Sequence, residues 1–419
     1  MTPEDSNLLQ RVGAGTPMGS FMRQYWIPAA KSSELVADGA PVRLMLLGEK
    51  LIGFRDSAGR VGVMDHRCPH RCASLFYGRN EEGGLRCVYH GWKYDVTGQC
   101  LEQANVPPHQ VFADKIRAKA YPACERNGLV WVYMGPRAEP PPLPSVEASL
   151  VPESQVQMTF VQRECNWLQA IEGEIDTSHF GFLHVGHLDP KNLSPDNPFY
   201  YTVYSRTPDY HCAETDWGTM YAAFRDADAD HIHFRWAQYM MPFWTAIPQG
   251  DFDNHINSRA WVPMDDTHTM FIMLAEIPFE VPEILPNTSD WYGRFRTPGN
   301  RGNDHQMDRG AQRRMESYTG INSVHMQDQA ITESMGPMVD HSFENLAPSD
   351  LMIARTRQRM LRALRAFTDE GIVPPGVDDP GLFLGARSGQ FLAPRGVEWQ
   401  ATYRERLSKA RRIKKMAPA

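Results

Sequence analysis

Two short runs of cysteine and histidine, Cys68-x-His70 and Cys87-x-x-His90, constrain this chain more than any other feature of its sequence. Thiolate and imidazole ligands together suit zinc or an iron–sulfur centre. Structural zinc sites usually pair like ligands within one loop, whereas each run here is mixed. Two mixed loops that face each other can each give one ligand to each iron of a [2Fe–2S] cluster that has two Cys on one iron and two His on the other. The pattern therefore favours such a cluster over the alternative, a zinc site.

Length, charge and cysteine use narrow the class of protein. The 419 residues have room for roughly two or three domains of about 150 residues. A net charge of -7 argues against a nucleic-acid partner. The chain has no apolar run near the length of a membrane span, and MTPEDSNLLQ does not read as a secretory signal, so we expect a cytoplasmic protein with no membrane attachment. We interpret the other cysteines as buried or incidental thiols: Cys72, Cys100, Cys124, Cys165 and Cys212.

A proline-rich stretch at 139–154 is the predicted linker between two parts of the chain. Residues 26–138 contain short β-prone runs and predict a small all-β domain, preceded by a helical segment at 1–25 with helices near 8–12 and 21–25. Residues 155–419 predict an α+β domain with an antiparallel sheet. Its expected strands are PFYYTVYS, GTMYAAFR, HIHFRWAQYMM, SRAWVPM and TMFIMLAEIP, and its clearest helix is DLMIARTRQRMLRALRAF.

A second group of potential ligands is Asp176-x-x-His179-x4-His184, in a segment that predicts a helix with an irregular end. Asp176 and His179 are three residues apart and are expected on one helix face. Gly181 lets the chain leave ideal helix geometry, so that both imidazoles can converge on one ion. A single histidine is more often a hydrogen-bonded core or surface group. The cysteine–histidine loops on the same chain raise the probability of a metal site.

Two histidines and one carboxylate form the facial triad of non-heme Fe(II) oxygenases, which leaves coordination positions open. The carboxylate must come from elsewhere in the sequence. Asp328, in HMQDQAITESMG, is our first choice, with Glu333 and Asp308 as weaker candidates.

These segments resemble a known family. The pattern CPHR…CxYHGWxYD followed by NWLQ…E…DxxHxxxLH is similar to that of Rieske non-heme iron oxygenase α subunits, and most similar to the phthalate 4,5-dioxygenase-like group. The resemblance implies an all-β Rieske [2Fe–2S] domain and a helix-grip catalytic domain, with the N-terminal helical segment packed on the latter. It also implies two ligand sets: Cys68, His70, Cys87 and His90 for the cluster, and His179, His184 and Asp328 for a mononuclear Fe(II).

The same resemblance assigns Asp176 a catalytic role in electron transfer. In this family, subunits assemble head to tail in a trimer or hexamer, and an equivalent carboxylate bridges a cluster histidine of one subunit and an iron histidine of the next. Here the bridge would join His90 of a neighbouring copy to Asp176 and His179. A carboxylate in this position also fixes the tautomers of both imidazoles.

The implied function is the terminal oxygenase component of a multicomponent system that activates O2 to hydroxylate the ring of an aromatic substrate. An O- or N-dealkylating monooxygenase is the alternative, and a Rieske electron-transfer protein without oxygenase activity is a remote one. We find no strand–GxGxxG–helix unit for NADH. The expected partner is therefore an NADH-dependent reductase with FMN and a [2Fe–2S] domain, or a reductase with a ferredoxin.

Four positions bear on substrate choice or on departures from the family. Arg235 and Asn166 are the candidate substrate-binding residues, and Arg235 matches one of two arginines that phthalate dioxygenases use for carboxylates. Arg206 is near the expected place of the second arginine but is shifted in sequence. Cys72 stands where many relatives have glycine.

Overall fold

The computed structural model of this chain describes residues 1–186, 193–194, 197, 199–276 and 280–413. The helices of this part of the chain are α1 (Pro3–Gln10), α2 (Pro17–Met22), α3 (Trp167–Ile175), α4 (Phe180–Leu183), α5 (Tyr200–Tyr204), α6 (Arg309–Arg313), α7 (Val324–Ser334), α8 (Leu351–Glu370) and α9 (Trp399–Lys409). The strands before the proline-rich stretch are β1 (Trp26–Lys31), β2 (Val42–Leu46), β3 (Glu49–Arg55), β4 (Val61–Asp65), β5 (Arg79–Glu81), β6 (Gly84–Arg86), β7 (Trp92–Tyr94), β8 (Cys100–Gln103), β9 (Ala120–Tyr121), β10 (Ala123–Arg126) and β11 (Leu129–Tyr133). The strands after it are β12 (Gln157–Arg163), β13 (Asp209–Glu214), β14 (Gly218–Asp226), β15 (His231–Met240), β16 (Trp244–Ala246), β17 (Asn257–Pro263), β18 (Thr269–Ala275) and β19 (Gly389–Pro394).

The N-terminal strands form three small antiparallel sheets, in the orders β1-β11-β10, β2-β3-β4-β9 and β5-β6-β7-β8. The first cysteine–histidine loop follows β4, and the second connects β6 to β7. Both loops pack on a small core that includes Leu75, Leu85 and Tyr94. The predicted all-β organisation is confirmed.

The larger part of the chain is built on an eight-stranded sheet in the order β12-β18-β17-β16-β15-β14-β13, with β19 paired to β15. The α+β class with an antiparallel sheet is also confirmed. Because side chains alternate along a strand, each face of the sheet has its own chemistry. One face packs on α3 and α8. The other face carries an aromatic cluster in which Trp236 stacks against Phe391 of β19 and Trp399 of α9.

One predicted strand is wrong. The run PFYYTVYS has the aromatic and β-branched residues typical of strands, but Tyr200–Tyr204 form the short helix α5. Phe199, just before this helix, stacks on Phe180 of α4 at a ring-centroid distance of 5.2 Å. Thr202 of α5 accepts a hydrogen bond from Arg235. These tertiary contacts outweigh the intrinsic strand preference of the segment.

The N-terminal helices begin earlier than the sequence analysis placed them. Thr2 and Thr16 each cap a helix through a side-chain oxygen, and a proline follows each of them at the first helical position. Both helices contact α8, and α1 also contacts α3. Trp167 of α3 donates its indole N–H to the carbonyl of Leu9 at 3.1 Å, which attaches this N-terminal segment to the region around the larger sheet.

The proline-rich stretch contains no α-helix or β-strand, yet it is not exposed along its whole length. Glu147 within it is buried and forms an ion pair with Arg387, which is also buried. Within the described residues, we find no helix with both the length and the apolar character required to cross a bilayer.

Candidate functional site

The two cysteine–histidine loops have the same backbone hydrogen-bond pattern. The N–H of Cys68 binds the carbonyl of Ala73 at 2.8 Å, and the N–H of Cys72 binds the carbonyl of Cys68 at 2.9 Å. The N–H of Cys87 binds the carbonyl of Trp92 at 2.8 Å, and the N–H of Gly91 binds the carbonyl of Cys87 at 2.9 Å. Two equivalent turns therefore present a cysteine and a histidine each.

The side chains of these loops fit a [2Fe–2S] cluster. The imidazoles of His70 and His90 face each other with ring centroids 4.5 Å apart and are half-buried, whereas both cysteines are buried. Nδ1 of His90 is a buried atom for which the described residues supply no hydrogen-bond partner, as expected of a metal ligand. The thiols lie on the protein side and the imidazoles on the outer side, so an electron would enter or leave through the histidines.

Two further aromatic residues support the cluster loops. The indole of Trp92 stacks on the His70 ring at 4.4 Å and fixes its plane. The hydroxyl of Tyr94 lies 3.2 Å from Sγ of Cys68. Burial raises the pKa of Tyr94, and the neighbouring thiol raises it further, so the phenol stays protonated and can donate to sulfur.

The second group of ligands converges as expected, although not through one helix. Helix α3 ends at Ile175, and the backbone of Asp176 is extended. His179 starts the separate helix α4, and His184 ends it. The expectation that Asp176 and His179 share a helix face is therefore wrong, because the chain turns between them. Their side chains still meet, with Nδ1 of His179 3.4 Å from Oδ2 of Asp176.

Asp328 of α7 completes a set of three potential metal ligands. Its Oδ1 lies 3.5 Å from Nε2 of His179 and 3.3 Å from Nε2 of His184. The three donor atoms lie within 4.8 Å of one another. Two imidazole nitrogens and one carboxylate oxygen match the donor set of a non-heme Fe(II) centre, so the residues present fit that group.

Hydrogen bonds at the other ring nitrogens assign the tautomers of both histidines. Nδ1 of His184 lies 2.7 Å from Oε1 of Gln327, and this oxygen can only accept. Nδ1 of His179 faces the carboxylate of Asp176. In its neutral form each imidazole therefore carries its hydrogen on Nδ1, which leaves the lone pair of Nε2 for a metal. The Gln327 contact was not anticipated from the sequence, where its one signal is its position next to Asp328.

The charges around these residues favour a bound cation. Burial alone would lower the pKa of His179, but Asp176 and Asp328 raise it to about 9. Burial alone would raise the pKa of Asp328, but His184 and His179 hold it below its usual range. The carboxylate is thus ionised at neutral pH, as a metal ligand must be.

The two weaker carboxylate candidates lie elsewhere. Asp308 caps helix α6 through Oδ1, which accepts the N–H groups of Gly310 and Ala311. Glu333 is buried, and its Oε1 accepts the backbone N–H of Glu164 and the side-chain N–H of Gln329, each at 2.9 Å. The structure therefore brings Asp328, and neither of these two, to the histidines.

A cleft of about 1070 Å³, including its mouth, opens beside the three ligands. Its apolar lining includes Phe180, Leu183, Tyr221, Trp261 and Phe271. Aromatic and aliphatic walls with a few polar groups are typical of a site for an organic ligand.

Arg235 lies on β15 and lines this cleft from the face of the sheet that packs on α3. It is 4% exposed, and burial lowers its pKa to about 10, so it stays charged at neutral pH. One Nη donates to Thr202 at 2.7 Å, and the guanidinium lies 5.0 Å from the ring of Phe180. No carboxylate of the described ranges lies within 4.0 Å of it, and its Nε has no partner there. A buried cation without a counter-ion suits an acidic ligand.

The other two residues considered for the substrate do not line this cleft. Asn166 is fully buried and caps α3, and its amide donates to the carbonyls of Gln10 and Asp266. These hydrogen bonds show that Asn166 caps the helix. They do not support the expected contact between Asn166 and a substrate. Arg206 is exposed, with its guanidinium 5.7 Å from the ring of Phe182, and lines a separate cleft on the outer side of His179.

Comparison with protein families matches two models along this chain. The Rieske [2Fe-2S] domain model matches residues 25–117, and the model described as LigXa C-terminal domain like matches residues 132–416. The two matched ranges contain the two sets of candidate ligands, one set in each.

Curated relatives match over almost the whole chain. It is 49% identical to the 3-chlorobenzoate-3,4-dioxygenase oxygenase subunit of Comamonas testosteroni, covering 96% of this chain and 98% of that protein. It is 35% identical to the phthalate 4,5-dioxygenase oxygenase subunit of Pseudomonas putida, covering 96% and 94%. Among solved structures, dicamba monooxygenase bound to dicamba shares the fold, with a TM-score of 0.56 at 16% identity, covering 83% of this chain and 99% of that one.

Proposed function

This chain is an oxygenase subunit of the Rieske non-heme iron oxygenase family, and on that premise we propose that it hydroxylates the ring of an aromatic carboxylate. One observation carries the choice of substrate class. Arg235 is a buried, charged guanidinium that lines the cleft beside the candidate iron ligands and has no carboxylate partner among the described residues. The names of two curated relatives given above, a 3-chlorobenzoate-3,4-dioxygenase and a phthalate 4,5-dioxygenase oxygenase subunit, support the same class.

We assign the cofactors to the residues that converge. Cys68, His70, Cys87 and His90 would hold the [2Fe–2S] cluster. His179, His184 and Asp328 would hold the mononuclear iron. When bound, the iron supplies O2 activation, and the cluster supplies electrons one at a time.

The remaining residues of the cleft orient the substrate. A carboxylate paired with Arg235 would lie next to Phe180, the residue that follows the ligand His179. An aromatic ring attached to that carboxylate can then pack on the apolar walls near the two ligand histidines. Arg235 thus acts as the fixed point that decides which ring atom faces the metal, and such positioning controls both rate and regiochemistry.

Asp176 is proposed as the carrier between the two centres. Its Oδ1 accepts from both the backbone and the hydroxyl of Ser178, at 2.6 and 2.8 Å, while Oδ2 faces His179. The side chain is 20% exposed, so a group from another subunit can reach it. The half-buried His90 of a neighbouring copy is our candidate for that group, in a head-to-tail trimer or a hexamer. The electron donor would be an NADH-dependent reductase, with or without a ferredoxin.

We propose the domain limits of the sequence analysis for this assembly: a helical segment at 1–25 packed on the catalytic domain, a Rieske domain at 26–138, a linker at 139–154 and a catalytic domain at 155–419. The contacts of α1 with α3 and α8 support the place of the first segment. The buried ion pair between Glu147 and Arg387 supports a linker that is fixed to the catalytic domain.

The test is a product screen with the purified protein, a compatible reductase and NADH. Benzoates and phthalates are expected to give hydroxylated ring products, identified by mass. Arg235→Met should raise the KM for such an acid tenfold or more, since a charge-assisted hydrogen bond contributes about 1.5–3 kcal/mol. The methyl ester of the same acid is the control and should respond much less. Release of an aldehyde from methoxy or N-alkyl substrates, with no ring product from acids, would overturn the proposal in favour of dealkylation.

A further inference from the structure

Arg163, the last residue of strand β12, borders the cleft but is 2% exposed. Its Nε and Nη1 are fully buried atoms that have no hydrogen-bond partner within the described part of the chain. The guanidinium lies 5.8 Å from the ring of Trp261 and 5.9 Å from the ring of Phe271, and both rings line the cleft. Two of the three guanidinium nitrogens are therefore enclosed by protein and cannot donate to a ligand directly.

The third guanidinium nitrogen of Arg163 contacts His325 of α7. Nη2 of Arg163 lies 3.1 Å from Nε2 of His325. A guanidinium has only donors, so Nε2 of the histidine accepts. Burial, and then the positive charge of Arg163, hold the pKa of His325 well below its usual range, so the imidazole is neutral. Its single hydrogen is therefore on Nδ1, and Arg163 fixes this tautomer.

The Nδ1–H group of His325 is open to the cleft. His325 is half-buried and lines the cleft, and its ring packs on Phe271 at a centroid distance of 5.2 Å. Its Nδ1 forms no hydrogen bond with a described residue, and it is not one of the fully buried unpartnered atoms, in contrast to Nε and Nη1 of Arg163. Asp328 follows three residues later on α7, so the two side chains share one helix face. A hydrogen-bond donor thus borders the cleft beside the candidate iron ligands.

The charged groups around His325 leave this donor unused. Besides Arg163, Asp328 and Arg259 act on the ring, and their effects on its pKa oppose each other. Arg259 pairs with Glu174, and Asp328 contacts the two candidate ligand histidines. Glu280 approaches the backbone of His325, whose N–H lies 3.3 Å from its Oε2. Among the described residues, none accepts the hydrogen on Nδ1, which is therefore available to a ligand.

From this arrangement we infer that His325 is a specificity-determining hydrogen-bond donor, and that the preferred substrate carries an uncharged oxygen acceptor on its ring in addition to its carboxylate. Arg163 is the positioning residue that decides which nitrogen of His325 donates. The charges of the donors separate the two substrate groups, because the guanidinium of Arg235 suits a carboxylate and a neutral imidazole suits an uncharged acceptor. The inference rests on the proposed function, since it assumes an aromatic acid in the cleft.

The experiment is a binding titration of the anaerobic holoprotein by calorimetry with two pairs of acids. Each pair consists of an acetylbenzoate and the isopropenylbenzoate of the same substitution, one pair meta and one para. The isopropenyl group keeps the shape of the acetyl group but replaces its carbonyl oxygen by carbon, so the ratio of affinities within a pair measures recognition of the acceptor. Wild type is expected to prefer at least one acetyl acid by about fivefold, the equivalent of one neutral hydrogen bond.

Four variants separate the donor from the residue that positions it. His325→Phe keeps an aromatic ring but has no donor, so the preference should disappear while the isopropenyl acids bind as before. His325→Asn should keep much of the preference, because its amide N–H2 can donate from a similar place. Arg163→Met should lower the preference about twofold or more, since either nitrogen of His325 can then carry the hydrogen. Arg163→Lys should restore part of it, because an ammonium group also donates to Nε2.

Each alternative result has a distinct meaning. If wild type binds both members of each pair equally, or if His325→Phe keeps the preference, the inference fails while the proposed function stands. If the preference is lost in His325→Phe but unchanged in Arg163→Met, the positioning role of Arg163 is excluded. If wild type binds none of the four acids, the proposed function fails as well.

Iron content and thermal unfolding followed by cluster absorbance show whether each variant keeps its metal centres and its fold. If Arg163→Met does not fold, the role of Arg163 is decided by the preference of Arg163→Lys, which should lie between those of wild type and His325→Phe. A preference in Arg163→Lys as low as in His325→Phe, with the iron retained, would contradict rescue by a second cationic donor.

Discussion

Cys72 and Gly91 occupy equivalent positions in the two cluster-binding loops. Each donates its backbone N–H to the carbonyl of the cysteine four residues before it, and each has a positive φ, 60° for Cys72 and 74° for Gly91. Glycine adopts this left-handed conformation at no steric cost, whereas a residue with a Cβ does not. The difference from relatives noted at Cys72 is therefore a glycine position filled by a strained cysteine.

Replacement of this cysteine should stabilise the cluster domain. Cys72→Gly removes a left-handed strain of about 1–3 kcal/mol, partly offset by the greater freedom of glycine in the unfolded chain, so we expect a net gain of about 1 kcal/mol. Urea unfolding followed by cluster absorbance measures it. Cys72→Ala is the matched control, because alanine keeps the Cβ. An equal gain in both variants would show that loss of the exposed thiol, rather than relief of strain, is the cause.

The hydroxyl of Tyr94 should tune the cluster. Tyr94→Phe removes one hydrogen bond to Sγ of Cys68. Because this hydrogen bond stabilises the reduced cluster, the midpoint potential of the variant is expected to fall by the equivalent of about 1 kcal/mol. Protein-film voltammetry gives the potential directly. Tyr133→Phe is the control, since it removes the hydroxyl of a buried tyrosine that lies outside the small core on which the cluster loops pack. An unchanged potential in Tyr94→Phe would remove this role.

The carboxylate ligand can be identified by metal content. Asp328→Ala should weaken binding of the mononuclear iron at least 100-fold and abolish turnover, while the visible spectrum of the cluster is kept. His179→Ala should do the same. Glu333→Gln should retain the iron and lose only about 1–3 kcal/mol of stability, because Glu333 accepts hydrogen bonds from Glu164 and Gln329. Loss of iron in Glu333→Gln with normal iron in Asp328→Ala would reverse the assignment.

Electron transfer between the centres should depend on the charge of Asp176. Asp176→Asn is nearly isosteric, so both metals should stay largely bound while single-turnover oxidation of the cluster slows about 10–100-fold. Ser178→Ala is the milder comparison, because the backbone N–H of residue 178 still holds the carboxylate. A normal single-turnover rate in Asp176→Asn would exclude the bridge.

Local sequence patterns predicted the cluster loops and the two histidines because each ligand pair is only a few residues apart. The carboxylate was harder, since Asp328 lies on a helix far along the chain. The sequence made Asp328 the first choice but left Glu333 and Asp308 as weaker candidates, and the fold places Oδ1 of Asp328 3.3 Å from Nε2 of His184. Physical reasons also explain the misses. The run PFYYTVYS, expected as a strand, contains the helix Tyr200–Tyr204, because the contacts of this segment to α4 and β15 outweigh its strand propensity.

The two faces of the eight-stranded sheet differ in what a substitution changes, because one face lines the cleft and the other carries the aromatic layer. Along β15, Arg235 faces the cleft, while its neighbours Phe234 and Trp236 belong to the aromatic layer on the opposite side. A substitution at Arg235 can thus alter ligand preference without touching the aromatic layer on the opposite face. With this arrangement a family can change its substrate range one residue at a time. The cleft-facing positions of the sheet are therefore the place to begin redesign.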